Sequence, residues 1–186
     1  FNRECYTEVV SFLTASFLFM DKLLFYEIDN KYIDFLSKFS EHLFHNAKIT
    51  QTYTRKYIGI LFEINDLKYF APLSSFKLKH KRLSETVDFI KIGDMAVINL
   101  NNMFPVIDGV FSLKNPADES DTQYKTLLNN EIRIIRKKEE QIITNAKAVY
   151  NHKMTNDGKS KLSQRCNDFK LLEEKCKEYK IPEKKK

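Results

Sequence analysis

The chain has 186 residues, 42% hydrophobic and 13% aromatic, with 4 glycines and 4 prolines. That is enough for one well-buried domain and excludes a disordered or low-complexity chain. A formal charge of +6 favours a polyanionic partner, nucleic acid or an anionic membrane surface, although charge alone suits a merely soluble basic protein equally well.

Three cysteines, Cys5, Cys166 and Cys176, show no CxxC and no Cys/His spacing that suits zinc. They read as reduced thiols in a cytoplasmic protein. The apolar stretch from Val9 to Met20 is too short to span a bilayer. Glu4 and Glu8 spoil a basic leader region, and no A-x-A site follows. MDKLLFYEID at Met20 has the look of a natural beginning. Residues 1–19 are therefore expected to form an extension outside a functional domain of residues 20–186, with a peripheral anchor or a docked helix as the other readings.

LLFYEI, Leu23 to Ile28, is a short apolar and aromatic run and reads as a strand. Asp29 or Asn30 can cap a helix through Phe39, where Tyr32, Ile33, Phe35, Leu36 and Phe39 make a helical stripe. After a polar loop, KYIGILFEI and LKYFAPL are two β-rich runs parted by Asn65-Asp66, a pair that suits a tight hairpin. PLSSFKLKHKRL then lies beyond the second strand, with Ser74 and Ser75 followed by Lys77, Lys79, His80, Lys81 and Arg82 and no acid among them. MAVINL and VIDGVFSL bracket residues 101–105 as a further strand pair. From Asp121 to Met154 the period turns helical, with Tyr124, Leu127, Leu128, Ile132, Ile135, Ile142, Ile143 and Ala146 on one stripe. TNDGKSK interrupts it, and FKLLEEKCKEYK forms a last helix. Strands lead and helices follow without βαβ alternation, which predicts an α+β domain with a mostly antiparallel sheet and a long helix in its second half.

The candidate sites are few. Asp66-Leu67-Lys68 after Glu63 imitates the end of a metal-dependent nuclease motif, but an Asp in a hairpin turn has a commoner structural role. No H-E-x-x-H, P-loop or GxSxG motif is present, and no cofactor or metal is expected. His42, His45, His80 and His152 could supply an acid–base pair; His42 and His45, three apart, also have metal-ligand spacing but read as a solvated helix end, and only His80 sits in the basic loop. Cleaving RNA without a metal needs one group to deprotonate a 2′-OH, another to protonate the leaving 5′-oxygen, and cations to offset charge on the pentacoordinate phosphorus. Lys77, Lys79, Lys81 and Arg82 can hold phosphates, while Phe76, Tyr53 and Tyr57 offer surfaces for unpaired bases. Composition alone leaves this loop readable as a phosphate site or as a solvated basic segment.

The order of landmarks adds a resemblance. KYIGILFEINDLKYFAPLSSFKLKH, together with FYEIDNKYIDFL, VINLNNMFPVI, TQYKTLLNNEIRIIRKKEEQI and FKLLEEKCKEY, resembles the ToxN/AbiQ family of endoribonuclease toxins of type III toxin–antitoxin systems. The resemblance runs from Leu23 to about Lys180 in the family's order. It implies a compact, strongly twisted antiparallel sheet akin to the barrel of small toxin RNases, flanked by helices. It also implies metal-independent cleavage of single-stranded RNA by 2′-OH attack, leaving a 2′,3′-cyclic phosphate. Inhibition by a repeated, pseudoknotted antitoxin RNA in a closed protein–RNA assembly, abortive infection of phage and a cytoplasmic location without membrane partners belong to the same expectation.

Residue by residue, the family's hydroxyl pair after the A-P-L strand falls on Ser74 and Ser75. Its lysine two positions on falls on Lys77, the basic residue before the Y/F-I-G strand on Arg55, and an upstream tyrosine on Tyr53. Lys79, His80, Lys81, Arg82, Phe76 and Tyr57 are the expected RNA contacts. Lys79 stands where a relative has an aromatic residue, so base stacking there differs. A non-catalytic RNA-binding protein is the alternative.

Overall fold

The computed structural model describes residues 23–43, 54–156 and 158–182. The reading of residues 1–19 lies outside them, as do Tyr53, His45 and Cys5. Strand β1, Leu24–Ile28, leads into helix α1, Asn30–Leu36. Asp29 caps α1 by accepting the Lys31 N–H at 2.8 Å, the role its short carboxylate suits. A 3-10 turn, Ser37–Phe39, ends this helical segment. Strands β2, Tyr57–Gly59, β3, Glu63–Ile64, and β4, Leu67–Ser75, follow. Asn65 and Asp66, at φ 50° and 63°, make the tight turn between β3 and β4. Both residue types tolerate this left-handed region, which a two-residue hairpin turn demands. Asp66 thus takes the turn role.

A single helical turn, α2, Leu78–Lys81, precedes β5, Phe89–Ile92, and β6, Ala96–Asn99. Strands β7, Phe104–Val106, and β8, Phe111–Leu113, complete the sheet. Helices α3, Thr122–Lys137, α4, Glu139–Thr155, α5, Lys161–Arg165, and α6, Phe169–Glu178, make up the second half. The α+β class and the antiparallel pairing match the expectation. β5 is an additional strand, and the MAVINL strand pairs with β5 and β4 rather than with its downstream neighbour.

Strand order is β5-β6-β4-β2-β1-β8, with β3 and β7 also paired to β4. β4 is the hub. Its first half pairs with β3 and β7, and its second half with β2 and β6. The sheet runs open from β5 to β8 instead of closing, which corrects the barrel-like core. Exchange of neighbours along one long strand bends the sheet without joining its edges. The long helix is also two helices. They meet at Lys138 (φ −103°, ψ 9°), whose Nζ reaches Glu85 Oε1 at 2.7 Å and the Lys91 carbonyl at 3.1 Å.

Both faces of the sheet are covered. On one, Tyr69, Ala71, Ile90, Ile92 and Ile98 pack against Leu128, Ile132 and Ile135 of α3 and Ile142, Ala146 and Val149 of α4. On the other, Tyr57, Phe70 and Phe104 meet Tyr32, Ile33 and Leu36 of α1. α6 serves both, giving Phe169 to the first core and Leu172 and Cys176 to the second. Its Glu173 accepts bonds from Tyr69 Oη at 2.7 Å and Tyr150 Oη at 2.9 Å, tying β4 to α4. Within the second core, the Phe70 ring meets Tyr26 and Phe111 at centroid distances of 5.1 Å. It also covers Gly59, where a Cβ would overlap the ring. That close approach of strand to ring is what glycine permits here.

Candidate active site

The site grows from the end of β4. Tyr57 pairs with Pro72 and Ile58 with Ala71, and the Leu73 N–H donates to the Lys56 carbonyl at 3.0 Å. Continued by one residue, this register sets Arg55 opposite Ser74. On the other edge Ser74 pairs with Val97 and Ser75 with Ala96, and the Phe76 N–H donates to the Met95 carbonyl at 2.9 Å. Both serines therefore belong to the strand and not to a loop beyond it. The ladder reaches further than hydrophobic patterning suggests because β6 supplies partners for these polar positions.

Strand alternation then sorts the side chains. Ala71, Ala96 and Ile98 lie in the helix-covered core, and Leu73 packs against it. Lys56 turns to the same face. It is buried, bonds Glu27 at 2.9 Å and the Thr54 carbonyl at 2.7 Å, and sits 5.7 Å from the centre of the Tyr124 ring. Lys56 is thus a structural cation, and Arg55 beside it points to the opposite face, which it shares with Ser74. Ser75 follows Ala71 and Leu73, and it is exposed at the strand end. The two hydroxyls do not stand side by side toward Arg55. A phosphate must sit over the end of β4 to be reached by both.

Beyond the strand, Lys77 is extended (φ −124°, ψ 157°) and opens α2. His80 is buried, with 7% of its surface exposed. Its Nδ1 accepts the Lys77 N–H at 3.0 Å, and its ring meets Phe76 and Phe89 edge-on at 5.5 and 5.6 Å. Desolvation lowers its pKa, and Lys79, Lys77 and Lys91 push it further down. His80 is therefore a neutral packing residue that pins the basic turn to the sheet, which corrects its assignment as an RNA contact. Tyr57 is corrected as well. It is 2% exposed, its ring edge-on to Phe104 at 5.5 Å, so no base can stack on it. Phe76 is half-buried, and Lys79, Lys81 and Arg82 are exposed.

The surroundings keep this corner positive. Among the described residues, Lys77, Lys79, Lys81, Arg82 and Lys91 form no ion pair. The nearby acids are engaged elsewhere. Desolvation opposes ionisation of Glu85, but its bonds to Lys138 and the Lys91 N–H hold it below the usual carboxylate range. Burial likewise opposes ionisation of Asp88. Arg165 nonetheless holds it low through two 2.7 Å bonds, helped by Thr86. Uncompensated cations around a hydroxyl are the ingredients of a phosphate site.

Other candidates leave the field. Burial pushes the thiols of Cys166 and Cys176 up to about 11, so neither is a nucleophile at neutral pH. His152 Nε2 shares a 2.7 Å hydrogen bond with Ser160 Oγ, which caps α5. Lys91 is the residue that patterning missed. FIKI is short, and only its alternation before Gly93 marks it as a strand.

Comparison with known proteins adds to this geometry. A family model described as "Toxin ToxN, type III toxin-antitoxin system" matches residues 24–177. The chain is 30% identical over 163 residues to endoribonuclease ToxN of Pectobacterium atrosepticum, covering 83% of this chain and 92% of that protein. A solved structure of a bacterial antiviral system regulated by a processed non-coding RNA superposes with a TM-score of 0.74 at 29% identity. That match covers 84% of this chain and 98% of the other. A second, from work on selective toxin inhibition by a non-coding RNA pseudoknot, gives 0.73 at 27% identity over 86% and 98%.

Proposed function

The chain belongs to the ToxN family of type III toxin–antitoxin system toxins, and on that premise we propose that it is an endoribonuclease held in check by a pseudoknotted repeat RNA. Its substrate is single-stranded cellular or phage RNA, cut by attack of the 2′-OH on the adjacent phosphate, without a metal ion, to leave a 2′,3′-cyclic phosphate. The observation that carries the reading is the cation-rich end of β4, where Arg55 stands opposite Ser74 and the acids nearby are already paired.

The roles follow from chemistry. Arg55 and Lys77 offset the charge that builds on the phosphorane oxygens. Lys77, exposed beyond the strand end, or Arg55 helps protonate the leaving 5′-oxygen. Ser74 and Ser75 hydrogen-bond the scissile phosphate or the attacking hydroxyl, and no seryl intermediate forms. Lys79, Lys81 and Arg82 steer the flanking backbone. Tyr53 remains part of the proposed set through the family pattern alone. The toxin acts in the cytoplasm; no helix among the described residues is long and apolar enough to cross a membrane.

The test is cleavage of single-stranded RNA by the purified chain in excess EDTA, with the product ends identified by mass spectrometry. Cyclic-phosphate ends, lost in folded Ser75→Ala and Lys77→Ala variants that still bind RNA, support the reading. Binding without cleavage would instead favour a non-catalytic RNA-binding protein. Cleavage that EDTA abolishes would refute the metal-free mechanism.

A further inference from the structure

The edge strand β5 carries a cation toward the same face as Ser74. Ile90 and Ile92 are fully buried in the helix-covered core, so alternation turns Phe89 and Lys91 to the other face. The Phe89 contact with His80 lies there. The ladders align Lys91 with Val97, and Val97 with Ser74, while Arg55 is next in the same row. Strands lie about 4.8 Å apart. Lys91 is therefore about 10 Å from Ser74 across buried Val97, and Arg55 about 5 Å on the other side.

The backbone of Lys91 is fixed at both ends. Its N–H donates to Glu85 Oε1 at 2.7 Å, and its carbonyl accepts Lys138 Nζ at 3.1 Å. Glu85 and Lys138 also pair with each other at 2.7 Å, and the Lys91 ammonium adds to the positive surroundings of that carboxylate. The Lys91 ammonium makes no ion pair among the described residues. Its charge reaches both His80, where it disfavours a proton, and the Glu85 carboxylate, and strand alternation sets its side chain on the α2 side of β5.

We propose that Lys91 is a further substrate-binding residue, holding the RNA phosphate next to the scissile one while Arg55 and Ser74 hold the scissile group. Val97 between them is buried, so a single strand running from Arg55 to Lys91 spans that position without resting on it. The proposal rests on the active-site reading above. It commits Lys91 to binding and leaves the chemical step to other groups.

The test uses the full chain and a mixed-sequence RNA 2′-O-methylated on every sugar, which cannot be cut because it has no free 2′-OH. Binding is measured across a range of salt concentrations for the parent, Lys91→Ala and Lys91→Arg. For one lost contact to single-stranded RNA, the slope of log K against log[salt] should flatten by about 0.7. Affinity should fall several-fold in Lys91→Ala and recover in Lys91→Arg. With unmodified RNA, KM should rise several-fold in Lys91→Ala and kcat stay within about two-fold. The Glu85 and Lys138 hydrogen bonds involve only backbone atoms of Lys91, and its ammonium only adds to the pull of Lys138 on Glu85, so the melting temperature should fall only slightly. An unchanged slope in Lys91→Ala, or a fall in kcat at constant KM, overturns the proposal. The binding arm keeps its meaning even if Ser75→Ala and Lys77→Ala cleave normally, an outcome that would sink the active-site reading instead.

Discussion

Replacing His80 separates a structural histidine from a catalytic one. Its ring contacts with Phe76 and Phe89 are each worth about 0.5–1.5 kcal/mol. The hydrogen bond from Lys77 N–H adds about 1 kcal/mol. His80→Ala should therefore cost roughly 2–4 kcal/mol, lost mainly as local opening of a one-turn helix that little else holds. At 1.4 kcal/mol per tenfold, amide exchange at residues 77–82 should quicken by roughly 30- to 1,000-fold. His80→Asn keeps an acceptor where Nδ1 stood and should retain part of the protection and most RNA cleavage. The pH dependence has a definite sign. The bond needs an unprotonated Nδ1, and burial lowers the histidine's pKa, so the opened turn binds more protons than the closed one. Protection is complete above about pH 6.5, the unperturbed histidine value, and fades as pH falls from there through the lower native value. If His80→Asn left exchange and melting unchanged but cut cleavage a hundredfold, His80 would be an acid–base group, and the packing argument would be wrong.

Other expectations follow from the same structure. Gly59→Ala drives a methyl into the Phe70 ring, an overpacking worth about 1–3 kcal/mol. It should lower the melting temperature by several degrees, and an unchanged melt would show that the ring can move aside. Arg165→Ala strands the Asp88 carboxylate, whose side chain is 4% exposed. Because the Arg165 side chain is itself 49% exposed, the cost should be nearer 2 kcal/mol than the 3–5 of a fully buried pair. In the parent, this contribution is present above about pH 4 and lost as pH falls below it, since Asp88 is held low in the native state. Denaturant titrations of both proteins at pH 7 and pH 3 should show the gap closing in acid. Cys166 and Cys176, buried with raised pKa values, should resist iodoacetamide at pH 8 until denaturant is added; peptide mapping of label on either in the native protein would contradict that.

Local chemistry made part of this fold readable and left part hidden. Asn65-Asp66 announced its turn because few residue pairs accept two positive φ angles. The proximity of Arg55 to Ser74 followed from that hairpin. What could not be read was which way the serines face, since that depends on β4 continuing through Ser75 to pair with Ala96. Tyr57 and His80 looked like surface for the same reason. An aromatic residue beside lysines reads as a stacking platform until tertiary packing places Phe104 over one and Phe89 against the other. Lys91 stayed hidden because a four-residue strand has little periodicity, and its meaning lies in a row assembled from three strands.

Helix α6 sets the point at which the fold can be finished during synthesis. It fills both cores at once, and Glu173 anchors Tyr69 of the strand that ends in Ser74 and Ser75. During synthesis residue 176 leaves the ribosome about a hundred residues after Ser75. Until then both cores lack their closing side chains and the serine strand lacks its anchor. A chain that stops short of residue 176 therefore carries Ser74 and Ser75 on a strand without its full packing or its anchor.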